Sequence, residues 1–483
     1  MRRLLFGMVL ALVASVSTAA PARAAVDYTQ GVTPVTASQA RIWFTPTTAS
    51  ALVDVHYVVA GSPDGQQNFR MTRNGGTWEK AVAGQSFEYW FTYEKGGPLY
   101  DTPHFTYGQG GGTPTDGTFP VTFQNNTRGT WSNSQIHVLV LGMATPGEWS
   151  YLRPDGTMAH INHLDESAPN HLTKNGRNYA NMSFTLARAG TVTMPSRVEG
   201  GRIYISVGSP MFLPISPDDR GWGGPDLRNP DDPNLDVYFD WYEFTYRDGV
   251  VPFGGNTTQV DMFGFPMTAR LTQRAIGYDQ TVGITLTRDQ VLAQYPAAVG
   301  PAFRPLANAY RIVAPRSSST FRPGGAQAGH LQSTIDQTWA YYTTHPFTLT
   351  RLNQTFTGRV AGDRLTFTKD GAGPFFLDKP TTTDVVECSG ALASAGMSTT
   401  ALELGAEFCA AFNRGVAMNP ASWYTPAAYY PATPRNDYAR FFHTIGLDHR
   451  AYGFAYDDIN DQSSVRILPN ANPPTSLTIG IGW

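Results

Sequence analysis

Two carboxylates in this chain are placed so that they could act on one bond. The run Trp241-Tyr242-Glu243-Phe244-Thr245-Tyr246-Arg247 reads as a strand. Alternation sets Tyr242, Phe244 and Tyr246 on one face and Trp241, Glu243, Thr245 and Arg247 on the other. The first face suits a core. The second holds a carboxylate between an indole and a hydroxyl, which suits a sugar cleft. Further along, Asp261 ends Gly255-Asn256-Thr257-Thr258-Gln259-Val260 and precedes Met262-Phe263-Gly264-Phe265-Pro266. A strand, a loop and a return strand would bring Glu243 and Asp261 together across a groove. Hydrolysis of a glycosidic bond needs such a pair: one carboxyl protonates the leaving oxygen while the other activates water or attacks. Spacing alone leaves a second reading open, that of two ordinary surface carboxylates. Asp240 falls on the strand face opposite Glu243 and is expected to be dispensable, unless it supports Glu243 indirectly.

Other reactive side chains offer less. His160, His163 and His171 cluster with Asp165 and Glu166. Their spacing fits no standard metal-ligand pattern, and the polar run around them reads as a solvated loop. His443, Asp448 and His449 have no nucleophile near them in sequence, which favours packing roles. The chain has no G-x-S-x-G elbow, H-E-x-x-H pair, P-loop or dinucleotide fingerprint, which argues against serine hydrolases and nucleotide enzymes. With 35 basic and 38 acidic residues the net charge is −3, so the basic footprint of a nucleic-acid binder is missing. Neither a metal nor a cofactor is expected.

The elements that must position these groups are mostly strands. Charged residues make up only 15% of the chain, against roughly 25% in an average domain, and Gly (48) and Pro (35) are abundant. Few charges and many turn formers point to short strands joined by long surface loops. Residues 1–24 read as a signal peptide: Arg2 and Arg3, an apolar stretch from Leu4 to Val16, and Ala22-Arg23-Ala24 as the cleavage site. A secreted, extracellular protein is expected, with no membrane span and as a monomer. In an exported chain the two cysteines, Cys388 and Cys409, suggest one disulfide, the alternative being two buried thiols.

Residues 25–108 alternate with period two at Leu52 to Val59 and Phe87 to Tyr93, with a turn at Asn74-Gly75-Gly76, as in a small β-sandwich. Residues 109–117, rich in Gly, read as a linker. Residues 118–483 behave as one unit. Strand signals run to about Thr287. A capping box at Thr287-Arg288-Asp289-Gln290 then opens a helix expected to stop before Pro296. Further helices are expected over Leu331–Tyr342 and from Thr400, capped with Glu403, to about Arg414. Sheet signals return only near Phe454 and from Leu477 to Ile481. The unit reads as a β-rich body with a mixed α/β lobe inserted at about 287–450, leaving a wide cleft between them.

From Phe119 to Trp483 the chain resembles glycoside hydrolase family 64. The likeness rests on Asp240-Trp241-Tyr242-Glu243-Phe244-Thr245, Asn256-Thr257-Thr258-Gln259-Val260-Asp261-x-Phe263-Gly264, Phe408-Cys409-x-Ala411-Phe412-Asn413-Arg414 and Ala451-Tyr452-Gly453-Phe454-Ala455-Tyr456-Asp457-Asp458. The resemblance implies a mainly β fold with a thaumatin-like barrel or sandwich body. It also implies an endo-β-1,3-glucanase that acts on curdlan or laminarin with inversion and releases laminari-oligosaccharides such as laminaripentaose. The family's catalytic glutamate falls on Glu243, as acid, and its aspartate on Asp261, as base. Trp241 and Thr245 would line the sugar sites, and Asp457 or Asp458 would add a further carboxylate. Plant thaumatin-like proteins carry many disulfides and a cleft arginine; here there are two cysteines, and Arg202 is the nearest candidate for that arginine. A thaumatin-like protein that binds β-glucan without cutting it is the rival reading, and the presence of both carboxylates favours the enzyme.

The first segment resembles carbohydrate-binding module family 56, through Asp54-Val55-His56-Tyr57-Val58-Val59, Gln66-Gln67-Asn68-Phe69-Arg70-Met71, Trp78-Glu79 and Glu88-Tyr89-Trp90-Phe91-Thr92-Tyr93-Glu94. The resemblance implies a partner, β-1,3-glucan polysaccharide, with Asp54, His56 and Trp90 expected on its binding face.

Overall fold

The structure is a computed structural model. It describes residues 27–36, 39–59, 66–83, 87–102, 105–107, 117–431 and 434–483. The expected signal peptide lies outside the described residues, as does the expected linker apart from Gly117. The chain forms two compact units, residues 1–112 and 113–483.

The first unit is all strand: β1 (Tyr28–Thr36), β2 (Gln39–Pro46), β3 (Val53–Val59), β4 (Gln66–Arg70), β5 (Thr72–Asn74), β6 (Thr77–Ala83), β7 (Phe87–Glu94), β8 (Leu99–Asp101) and β9 (Phe105–Tyr107). One sheet has the order β1-β2-β6-β5, the other β4-β3-β7-β8 with β9 also on β7. Ile42 and Phe44 of β2 meet Val53, Val55 and Tyr57 of β3 and Phe87, Tyr89, Phe91 and Tyr93 of β7 in a shared core. The period-two pattern thus becomes a sandwich with one face of each strand inside. Gly75, with φ +62, makes the tight turn between β5 and β6.

The second unit opens with β10 (Phe119–Asn126), β11 (Ile136–Thr145), β12 (Glu148–Leu152), β13 (Met158–His160), β14 (Leu172–Lys174), β15 (Arg177–Tyr179), β16 (Phe184–Thr185), β17 (Thr191–Met194) and β18 (Arg197–Val207). It continues with β19 (Tyr238–Arg247), β20 (Val251–Thr257), β21 (Met262–Phe263), β22 (Met267–Gln273) and β23 (Tyr278–Gly283). After a lobe described below, β29 (Arg466–Ile467) and β30 (Ser476–Gly482) return to the body. Two sheets face each other, one ordered β17-β10-β30-β22-β23 and the other β13-β12-β11-β18-β19-β20-β29, with β16 beside β11. Val121 of β10, Val140 of β11, Ile203 of β18, Tyr242 and Phe244 of β19 and Ile479 of β30 lie in the core between them. The far face of the second sheet is covered at one end by a separate core that includes Tyr204, Phe239 and Trp241.

The lobe holds α1 (Arg288–Ala298), β24 (Ile312–Val313), α2 (Gln332–Thr344), β25 (Phe347–Arg351), β26 (Gln354–Ala361), β27 (Arg364–Lys369), β28 (Ala372–Asp378), α3 (Thr382–Glu387), α4 (Thr399–Asn413) and α5 (Asp437–Ile445). The capping box of Thr287 and Gln290 is formed, but α1 does not stop before Pro296. That proline sits in the last turn, where its missing N–H removes a single bond, and Val299 N–H still closes on the Tyr295 carbonyl. The expected Thr400 cap of α4 is replaced by Ser398, whose side chain accepts from Ala401 N–H, and Glu403 pairs instead with Lys369 at 2.6 Å. Phe454 lies in a turn, not a strand. The antiparallel sheet β25-β26-β27-β28 and the helices α3 and α5 were not expected. The helices pack on this sheet through a common core that includes Trp339, Phe347, Phe356, Phe367, Phe408 and Trp423. A disulfide joins Cys388, at the end of α3, to Cys409 on α4, with Cα atoms 5.5 Å apart. No described helix is long and apolar enough to cross a membrane.

Candidate active site

Glu243 stands in the middle of β19, with Arg202 of β18 and Asn256 of β20 as its cross-strand partners. Register alone therefore places a guanidinium and an amide on either side of the carboxylate. Arg202 Nε lies 3.4 Å from Glu243 Oε1. The indole N–H of Trp241 donates to the same oxygen at 3.1 Å. Asn256 is buried, and its side-chain nitrogen has no hydrogen-bond partner. Glu243 keeps about a third of its side chain exposed (30%). Thr245, next on the same face, is half-buried. Trp241 corrects the expectation of a sugar platform: it is buried at 6%, against Tyr204 and Phe239, and reaches the site only through its N–H.

Asp261 precedes β21, which pairs with β24 of the lobe. Its carbonyl accepts from Ala314 N–H at 3.0 Å. Its Oδ1 accepts from Ser317 Oγ at 3.2 Å and lies 3.4 Å from Arg316 Nε, with 33% of the side chain exposed. The body thus supplies Glu243 and Arg202, and the lobe supplies the partners of Asp261. One shared neighbour ties the two together. Burial pushes the Tyr204 hydroxyl up; Arg202 opposes this, while the carboxylates of both Glu243 and Asp261 add to it. Both acids therefore act on the single Arg202–Tyr204 pair, whose Nη1 and Oη atoms are 3.5 Å apart. The guanidinium also lies over Trp222, 5.6 Å from its ring centre.

The segment after the lobe completes this face. Gln259 N–H donates to the Tyr452 carbonyl at 2.8 Å. Burial raises the Tyr452 hydroxyl well above its ordinary value, with Asp458 and Glu243 adding to the effect. Asp458 is exposed yet crowded, and loss of solvation raises its carboxyl. Asp457 is different. It is fully buried, 3.2 Å from Arg414 Nη2 and 2.9 Å from His443 Nε2, and it accepts from Gly453 N–H. Asp457 cannot touch a sugar, because its oxygens are consumed by this internal network.

Asp240 precedes Trp241 on the same strand. It lies on the face opposite Glu243 but is not idle: it is buried at 1% and accepts backbone N–H bonds from Trp241 at 2.8 Å and Gly264 at 2.9 Å. His163 pairs with Asp219, while His160 and His171 contact nearby backbone carbonyls. Among the described residues no group of side chains is arranged to hold a metal ion.

In the first unit, alternation leaves Asp54 and His56 of β3 on the outer face, opposite Thr92 and Trp90 of β7. The His56 and Trp90 rings stack at 5.3 Å. His56 also contacts Thr92 Oγ1 at 2.9 Å and Asn68 Oδ1 at 2.5 Å, and Asp54 pairs with Arg70. The result is a polar face with one half-buried indole. Of the site neighbours, Arg316, Ser317, Asn256 and Tyr452 were not singled out from sequence. Only the cross-strand position of Asn256, opposite Glu243, could have been inferred in advance.

Residues 117–481 match the model of glycoside hydrolase family 64, described as beta-1,3-glucanase, and residues 30–102 match that of carbohydrate binding module family 56. A family 64 beta-1,3-glucanase domain from Clostridium beijerinckii is 32% identical, with a TM-score of 0.71, covering 76% of this chain and 98% of that one. The laminaripentaose-producing beta-1,3-glucanase of Paenibacillus barengoltzii, solved with laminarihexaose, is 33% identical with a TM-score of 0.62, covering 95% of this chain and 100% of that one. A glucan endo-1,3-beta-glucosidase of Cellulosimicrobium cellulans is 28% identical over 295 residues, 59% of this chain and 52% of the relative. The chain thus spans about half the length of the curated relatives it matches. Since the family match covers most of the chain and the body and lobe follow solved members, the chain belongs to glycoside hydrolase family 64 and carries a family 56 carbohydrate-binding module in its first unit.

Proposed function

We propose that this protein is a secreted endo-β-1,3-glucanase that cleaves curdlan- or laminarin-type glucan with inversion and releases laminari-oligosaccharides such as laminaripentaose. The observation that carries the proposal is a pair of part-exposed carboxylates, Glu243 held on the body by Arg202 and Trp241, and Asp261 held from the lobe by Arg316 and Ser317. Glu243 acts as the general acid. It protonates the leaving glycosidic oxygen as the bond breaks. Asp261 acts as the base, its charge held by Arg316 and Ser317, and draws a proton from the attacking water. Proton and water arrive from opposite sides of the sugar ring, so the anomeric centre inverts. The hydroxyl of Thr245 supplies a hydrogen bond to sugar beside Glu243, and Asp458 supplies an exposed acceptor. The outer face with Asp54, His56 and Trp90 holds insoluble glucan, and the positive, apolar start of the chain supports export.

The test is curdlan hydrolysis by Glu243→Gln and Asp261→Asn. Each variant should lose activity by factors on the order of 10²–10⁴, the usual worth of acid–base catalysis, while curdlan binding persists. NMR of the first products should show the inverted anomer. Near-normal rates in either variant, or retained configuration, would overturn the mechanism.

A further inference from the structure

Asp240 is a buried acid that the proposed chemistry does not use. The ladder between β19 and β20 ends where Tyr242 faces Thr257. Asp240 lies beyond that point, and there the segment carrying Asp261 runs beside β19 instead. The approach is close: a Cβ on Gly264 would lie 1.9 Å from the Phe239 carbonyl oxygen. Only glycine fits such a contact. The Asp240 carboxyl spans the junction, with one oxygen accepting from Trp241 N–H and the other from Gly264 N–H. Trp241 leads directly to Glu243, and Gly264 follows Asp261 across β21. On its far side β21 is fixed by pairing with β24. Arg311, just before β24, donates to the carbonyls of Asn234, Leu235 and Val237, so the start of β19 is anchored to the same place.

We propose that Asp240 is a positioning residue: its two-oxygen bridge sets the spacing between Glu243 and Asp261. The inference rests on reading that pair as the reacting groups. Inversion requires carboxyl groups about 6.5–9.5 Å apart, and a displacement near 1 Å can cost about 10²-fold in rate. The Trp241 and Gly264 N–H groups each take one carboxyl oxygen, and the Phe265 N–H also acts on the carboxyl. Asparagine offers one oxygen and turns an NH₂ group toward the other donor, so the bridge loses one of its anchors.

The experiment is a double-mutant cycle on the full chain with curdlan as substrate, comparing Asp240→Asn, Asp261→Asn and the double variant. Asp240→Asn should lower kcat on the order of 10²-fold, with KM and curdlan binding near wild type and Tm lowered by only a few degrees. The double variant should be no slower than Asp261→Asn alone, because a residue acting through Asp261 has nothing left to position. A merely structural residue would give additive losses, which would overturn the inference, as would full activity of Asp240→Asn. Asp240→Ser serves if Asp240→Asn does not fold, and failure of both to fold would mark Asp240 as a stability residue only. Full activity of Asp261→Asn would instead overturn the assignment of the pair, and this inference with it.

Discussion

At the residue scale, Asp457 shows how one carboxylate can belong to stability and its neighbour to the surface. Asp457 is fully buried between Arg414 and His443, while Asp458 is exposed. Burial opposes the charge on both Asp457 and His443, yet their pairing prevails: the imidazole is raised and the carboxyl lowered from their ordinary values. The signs follow from linkage. The raised His443 contributes stability that is complete below about pH 6.5 and is lost as pH climbs through its folded value. The lowered Asp457 contributes above about pH 3.9 and loses that contribution as pH falls through its folded value. The network should thus be strongest between these limits. A pH series of calorimetric Tm should show wild type falling between pH 6 and 9 more steeply than His443→Gln; parallel curves would refute the coupling. Sequence could not separate Asp457 from Asp458, because the partners that bury Asp457 come from α4 and α5. Glu243 was legible because its neighbours alternate, and that alternation reappears as Tyr242, Phe244 and Tyr246 in the core and Glu243 and Thr245 outside it.

At the element scale, local capping chemistry and tertiary pairing were read with unequal success. The cap of α1 was legible since both members of its box, Thr287 and Gln290, lie within one turn of sequence. For α4 the true cap lies slightly earlier, at Ser398, because Glu403 is drawn to Lys369 of β27. Ser398→Ala should lower stability by about 1 kcal/mol in urea unfolding, whereas Thr400→Ala should have little effect. The sheet β25-β26-β27-β28 does carry a period-two pattern, with Leu349, Phe356, Leu365 and Phe367 buried and Thr348, Thr357 and Thr366 exposed. That alternation, with β-branched threonines on the outer face, is itself a strand signal, and the expectation of a helical lobe passed over it. The disulfide lies between α3 and α4, close to the elements that hold Arg414. Replacing Cys388 and Cys409 by serine should cost roughly 3 kcal/mol for a loop of this size and should be visible as a lower urea midpoint.

At the scale of the whole molecule, the proposed function has two units serving one insoluble polymer. The glycine-rich stretch at 109–117 reads as the linker between them, and the chain forms compact units of residues 1–112 and 113–483. The polar outer face of the first unit should act independently of the chemistry. Trp90→Ala in the full chain should weaken curdlan pull-down several-fold while leaving hydrolysis of soluble laminari-oligosaccharides near normal. Equal loss on both substrates would show that the first unit supports the second in some other way.

The strand order of the body has a consequence for synthesis. β30, the last strand, lies between β10, the first strand of the unit, and β22, and it runs parallel to β10. Until β30 leaves the ribosome, β10 and β22 have no partner on their facing edges, and the core that holds Ile479 cannot close. The nascent body must therefore stay open until β30 has been made, and its folding follows synthesis of that strand. A chain stalled before Ser476 should remain sensitive to protease throughout the body, and a chain long enough to expose β30 should lose that sensitivity in a single step.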